Sequence, residues 1–139
     1  MMTAIFKALT KAGGQCLGFP DVCRVPAPPA PDIPTPFPNI GNPAQATKTA
    51  TKVLFAGKPV LTEKSEIPRS QGDEAGVNGG VVSGTNMDKV IFKKGSSKVI
   101  IEGHGCIHQA AVSYHNGSNA NMPAGCVVAC SQVKVFINP

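Results

Sequence analysis

The run F-P-D-V-C-R-V-P-A-P-P-A-P-D-I-P-T-P-F-P-N-I-G-N-P, residues 19–43, holds nine prolines. Each lacks the amide hydrogen that a helix interior or a sheet ladder needs, which argues against a helix and against a place in the centre of a sheet. A disordered or polyproline linker is the default reading of that composition. Against the default, Val22, Val25, Ile33, Phe37 and Ile40 are spread through the run. The expectation is an ordered, extended belt laid over the surface of the domain.

What the belt covers is read from the rest of the chain. With 139 residues, one domain with a modest core is expected. There is no Trp and only one Tyr, while Val, Ile and Gly are plentiful, which favours short strands and tight turns over helices. Strands are expected at Lys52–Phe55, Pro59–Thr62, Gly80–Ser83, Lys89–Phe92, Lys98–Glu102 and Gln132–Ile137. In the last, Val133, Val135 and Ile137 alternate with Lys134. K-V-L-F-A-G-K-P-V-L (Lys52–Leu61) and K-V-I-I-E-G-H-G-C-I (Lys98–Ile107) resemble each other at an offset of 46 residues, each reading as strand, Gly turn, strand. This suggests a fold assembled from repeated small hairpins.

Hydropathy sets one function class aside, while charge does not discriminate. The net charge of +5 comes from scattered lysines without interleaved aromatics, which reads as a soluble surface and not as a nucleic-acid footprint. No segment approaches the apolar length needed to span a bilayer. At the amino terminus Lys7 and Lys11 interrupt an apolar run too short for a signal peptide, so export has to use machinery that reads no cleaved leader. Thr3–Ala12 is instead expected to form a short amphipathic helix, with Ile5, Leu9 and Phe6 on one side.

All three histidines and one cysteine fall within V-I-I-E-G-H-G-C-I-H-Q-A-A-V-S-Y-H-N, residues 99–116. As a strand, Val99–Gln109 would put Glu102, His104, Cys106 and His108 on one face and Ile101 and Ile107 on the other. Imidazole and thiolate are the ligands of a closed structural zinc site, so the cluster points to a metal. The competing reading is a set of solvated loop histidines, with Gly103 and Gly105 breaking the alternation. Five cysteines, at 16, 23, 106, 126 and 130, cannot all pair within one chain, and reduced thiols in a cytosol are expected. The spacing of Cys126 and Cys130 is compatible with a second metal pair or with two small buried residues, and their Val and Ala surroundings favour the latter.

The stretch S-Q-G-D-E-A-G-V-N-G-G-V-V-S-G, residues 70–84, has five glycines but neither a P-loop ending nor a G-x-G-x-x-G pattern. Structural turns are expected there, with Asp73 and Glu74 solvated or capping turn amides.

F-P-D-V-C-R-V-P-A-P-P (19–29), P-F-P-N-I (36–40), G-D-E-A-G-V-N-G-G-V-V-S-G (72–84) and the V-I-I-E-G … S-Y-H-N segment ending at Asn116 occur in that order, and together they resemble the PAAR-like family of spike-tip proteins. These belong to type VI secretion and related contractile injection systems. The resemblance implies a mostly β fold, a small cone or prism of short β-hairpins with pseudo-three-fold symmetry. It also implies one structural zinc ion held by three His and one Cys. Carried over by motif, Cys23 in P-D-V-C and His115 in S-Y-H-N are ligands, and His104 and His108 complete the set. Cys106 is a departure from the family pattern that could displace Cys23 or one His.

The function so implied is a structural, non-enzymatic tip that caps and sharpens a trimeric spike of the valine-glycine repeat type, one copy per trimer, and aids membrane puncture and effector delivery. The implied localisation is the bacterial cytoplasm before firing, then secretion or injection with the spike. Contact with a membrane would be transient, any effector cargo would bind noncovalently, and the whole of 1–139 would be one tip domain without a fused effector. Two other classes stay open: a small zinc-dependent hydrolase, which would need an open coordination position and a base such as Glu102, and an adaptor that tethers a toxin cargo.

Overall fold

The computed structural model describes residues 6–132 and 134–138. In chain order the strands are β1 (Phe6–Lys7), β2 (Gly14–Ala27), β3 (Ala30–Gly41), β4 (Leu54–Phe55), β5 (Lys58–Pro59), β6 (Glu66–Ile67), β7 (Val90–Ile91), β8 (Ile100–Ile101), β9 (His104–Gly105), β10 (Val112–His115), β11 (Met122–Cys130) and β12 (Phe136–Ile137). A 3-10 turn at Pro43–Gln45, capped by the Asn42 side chain, is the helical element among the described residues. The fold is mostly β, as expected. One sheet has the order β3-β2-β11-β10-β7-β6, and β1–β12, β4–β5 and β8–β9 are separate two-stranded sheets, all antiparallel.

The two segments that repeat at 46 residues are hairpins of one geometry. Leu54 pairs with Pro59 and Phe55 with Lys58, while Ile100 pairs with Gly105 and Ile101 with His104. Their turns place two successive residues at positive φ, Ala56 (54°) and Gly57 (81°) in one, Glu102 (52°) and Gly103 (85°) in the other. Two positive φ values in a row are what a two-residue hairpin loop needs to follow the twist of its strands.

The third hairpin, β1–β12, is the same unit split between the two ends of the described chain. Lys7 pairs with Phe136 and Phe6 with Ile137. Read from Lys134, K-V-F-I followed by F-K-A-L-T (Phe6–Thr10) aligns with K-V-L-F and K-P-V-L-T (Lys58–Thr62).

Backbone hydrogen bonds close the three units into a ring. Leu9 N–H donates to Ile107 O at 2.9 Å, Ile107 N–H to Leu61 O at 3.0 Å, and Leu61 N–H back to Leu9 O at 3.0 Å. A second cycle runs Lys11 to Pro59 (2.9 Å), Glu63 to Gly105 (2.9 Å) and Gln109 to Lys7 (2.8 Å). Ladder bridges repeat the pattern: Ala8 with His108, Thr10 with Val60, Thr62 with Cys106. Cyclic pairing leaves these short strands without open edges at the ring. Leu9, Leu61 and Ile107, fully buried, are equivalent positions around this pseudo-three-fold axis, as are the buried Ala8, Val60 and Cys106.

Proline placement in the β2–β3 hairpin obeys the missing N–H. Pro20 falls in the register shift between Gly18 and Asp21, and Pro26 and Pro31 in the second shift, while Pro28 and Pro29 make the turn. Pro34, Pro36 and Pro38 share the parity of Ile40, whose N–H points away from β2 to Gln71 O. The belt is therefore ordered and extended. Its two halves pair with each other as the β2–β3 hairpin, and the proline-free stretch 14–17 ahead of the run joins β2 to β11.

Other expectations are corrected. Residues 6–12 are not helical: Phe6–Lys7 is a strand, and Ala8, Leu9 and Thr10 are consecutively buried, which three-way strand pairing allows and a one-sided helix does not. The remainder of the expected Thr3–Ala12 helix lies outside the described residues. Val99–Gln109 is not one strand, since the Glu102–Gly103 turn reverses it and scatters the proposed common face. Gly80–Ser83 is a turn, tied to β2 by Val81 N–H donating to Val22 O at 3.1 Å. In β12, Ile137 is buried and Phe136 exposed, and Val133 lies outside the described residues. No helix among the described residues is long and apolar enough to cross a membrane.

Candidate functional site

The bulge at Phe19–Pro20 decides which β2 side chains face inward. Before it the buried positions are Cys16 and Gly18; after it they are Asp21 and Cys23. One extra residue changes the parity and aims a carboxylate and a thiol to the interior. The four sequence motifs converge on them. Asn39 comes from β3, Asp73 from the glycine-rich loop, Asn116 directly after β10, and Asn121 directly before β11. Asp21, Cys23, Asn39, Asp73 and Asn116 are fully buried and Asn121 is nearly so. Gly76 lies against Cys23 and Gly80 against the Asn121 amide so closely that a Cβ at either would clash, which is why the loop needs glycine there.

Asp21 takes most of the hydrogen bonds. Its Oδ2 accepts from Asn39 Nδ2 at 3.0 Å, and its Oδ1 accepts from Asn116 Nδ2 at 3.3 Å and from Asn121 Nδ2. Asp73 Oδ2 accepts from Met87 N–H at 3.3 Å and from Asn39 Nδ2 at 3.4 Å, whereas its buried Oδ1 has no partner. The Cys23 thiol lies 3.6 Å from both Asp21 Oδ1 and Asp73 Oδ2. Donor atoms of Asp21, Cys23 and Asp73 lie within 4.8 Å of one another, a buried group that could hold a metal ion.

Burial sets the electrostatics. It pushes Asp73 up to about 7, helped by the neighbouring Asp21, and pushes the Cys23 thiol up to about 12, helped by both aspartates. Burial also acts to raise Asp21, but hydrogen bonds from Asp73, Asn121, Asn116 and Asn39 outweigh it and hold Asp21 below the usual carboxylate value. Without a metal, Asp21 is the ionised member and Asp73 keeps a proton to near neutrality. Cys23 stays a thiol, so it is no nucleophile.

Of the four expected ligands, Cys23 and His115 reach this region and His104 and His108 do not. His115 is fully buried, with Nδ1 2.7 Å from Asn39 Oδ1 and Nε2 2.7 Å from Ser113 Oγ. Because Asn39 turns its Nδ2 to the aspartates, its Oδ1 must accept from His115, so Nδ1 carries the hydrogen and Nε2 accepts from Ser113. Both nitrogens are thus engaged, and burial pushes the imidazole down to about 4. His104 is exposed on the β8–β9 hairpin, while His108 stacks on Phe6 with ring centroids 5.4 Å apart and its Nδ1 2.7 Å from Gln109 O. Cys106 is in the core of the prism. Among the described residues the donor set that assembles is Asp21, Cys23 and Asp73, not the four-residue set read from the motifs.

Asp73 is therefore not solvated as expected, although Glu74 does cap a turn, accepting from Gly72 N–H at 2.6 Å. Asp21, Asn39, Asp73 and Asn116 stand inside the four motifs, which is the signal that could have found them; Asn121 has none.

A comparison with curated proteins and one with solved structures each found no match. A family model, the toxin PAAR-like domain, matches residues 14–123. That span holds every residue of the buried group and two of the three hairpin units, and the chain accordingly belongs to the toxin PAAR-like domain family.

Proposed function

We propose that this chain is the non-enzymatic tip of a contractile injection machine of the type VI secretion kind, seated as one copy on a trimeric valine-glycine repeat spike. The observation that carries the reading is the closed hydrogen-bond cycle through Leu9, Leu61 and Ile107, which makes a single chain pseudo-three-fold. A monomer can satisfy three equivalent edges of a trimer only if it presents three equivalent surfaces. It does so in apolar form: Leu54, Ile100 and Phe136 occupy the same position in the three hairpins and are 56%, 57% and 48% exposed. Three large exposed side chains at symmetric positions suit burial against a partner.

Enzymatic readings find little support. Cys23 is buried and, without a metal, protonated, and Glu102, the base a hydrolase would need, is engaged as a backbone cap, accepting from Thr51 N–H at 2.9 Å and Lys52 N–H at 3.2 Å. All five cysteines are free, which suits a reducing cytoplasm before firing, with export alongside the spike. The test is the triple variant Leu54→Glu, Ile100→Glu, Phe136→Glu. Its circular dichroism should match wild type while its affinity for the spike trimer falls at least a hundredfold; unchanged affinity would contradict the reading.

A further inference from the structure

We propose that Asp21, Cys23 and Asp73 are the inner ligands of one divalent cation of the zinc class, with Asn39, Asn116 and Asn121 as the outer shell. This donor set differs from the three-His, one-Cys set expected of the family, and it stands independently of the spike-capping reading.

The inner shell rests on three features. Cys23 Sγ lies 3.6 Å from both Asp21 Oδ1 and Asp73 Oδ2, the spacing of sulfur and oxygen ligands around one tetrahedral ion. Asp73 Oδ1, on the carboxyl whose Oδ2 faces Cys23, is buried and accepts no hydrogen bond, so that carboxyl keeps an acceptor position free for a ligand. No cationic side chain balances the group among the described residues. Arg24, the nearest arginine in sequence, directs its guanidinium to the carbonyls of Gly79 and Gly80, and His115 donates to Asn39.

The outer shell rests on how the amides are held. Each asparagine has its Oδ1 engaged away from the acidic group: Asn39 by His115 Nδ1, Asn116 by Asp88 N–H at 3.1 Å, and Asn121 by Val82 N–H at 2.8 Å. None can flip without losing that bond. Each NH2 is thereby fixed toward Asp21, and those of Asn116 and Asn121 also lie 3.6 Å and 4.0 Å from Cys23 Sγ. Donors aimed at ligand oxygen and sulfur atoms are what orients and stabilises anionic metal ligands.

A sulfur donor beside two carboxylates selects a borderline ion such as Zn²⁺ over Mg²⁺ or Ca²⁺, which take oxygen. The ion replaces the thiol proton of Cys23, which leaves to solvent. It would tie β2 to the glycine-rich loop, bridging ligands 50 residues apart in the chain.

The full chain, stripped of metal with a chelator, is titrated with Co²⁺ and the near-ultraviolet thiolate-to-cobalt charge-transfer band is followed. The expected result is a band that saturates at about one cobalt per chain and is quenched by Zn²⁺ but not by Mg²⁺. Cys23→Ser should abolish it, and Asp73→Asn should weaken cobalt binding at least tenfold. The double variant His104→Ala, His108→Ala should leave it unchanged. A wild-type chain with no such band overturns the proposal, as does a band that survives Cys23→Ser or disappears in the double histidine variant. Should Asp73→Asn fail to fold, the wild-type, Cys23→Ser and double-histidine titrations decide the matter.

Discussion

The imidazole at position 115 lies between two glycines, Gly18 and Gly125, at either of which a Cβ would press on the ring. With both nitrogens engaged, it acts on the acidic group through Asn39. Its pKa of about 4 lies below the ordinary 6.5, so the folded chain binds that proton less readily than the unfolded chain. The stabilising contribution is therefore present above about pH 6.5 and is lost as the pH falls through about 4. Asp73, raised to about 7, has the opposite slope in that range, because its contribution is lost as the pH rises. Comparison with a variant separates the two. The stability advantage of wild type over His115→Gln in urea denaturation should shrink by roughly 2–3 kcal/mol between about pH 7.5 and about pH 4. A constant difference would mean that the ring titrates normally. Cys23 and His115 were legible as zinc-ligand residue types within motifs. Asp21, Asn39, Asp73 and Asn116 sit in the same motifs, yet only burial, which the β2 bulge decides, shows that they meet.

The hairpins are the elements most readable from sequence, because the 46-residue repeat preserves both the Gly at the second turn position and the strand registers. What the repeat conceals is strain at the first turn position, where Ala56 and Glu102 sit at positive φ. Ala56 is exposed and its side chain makes no hydrogen bond, so Ala56→Gly relieves the conformation without losing a contact. A gain of about 0.5–1 kcal/mol is expected, read as a higher melting temperature. Glu102→Gly should give no such gain, since it removes the carboxylate that caps Thr51 and Lys52. A lower melting temperature for Ala56→Gly would contradict the turn assignment. The single-strand reading of Val99–Gln109 failed at this same turn, where local alternation of residue types outlives the reversal of the chain. The proline run was readable as extended, but its hairpin was not: the nine prolines show where ladder bonds are impossible, and pairing depends on which side of each strand those gaps face.

At the scale of the molecule, the pseudo-three-fold ring is visible in sequence only in part. Two units are contiguous, and the third, K-V-F-I with F-K-A-L-T, appears when the two ends are read as neighbours. Its closure also explains why Ala8, Leu9 and Thr10 are buried in succession, a pattern that no isolated helix or strand predicts. The same ring sets Leu54, Ile100 and Phe136 at symmetric positions, so the apolar surface falls to Phe136 and its equivalents, with Ile137 directed into the core. The central claim, one pseudo-symmetric chain on one symmetric trimer, is tested most directly by the mass of the purified complex with the spike, measured by multi-angle light scattering. The account predicts three spike chains plus a single 14.3 kDa chain; three copies per trimer, or no complex, would contradict it.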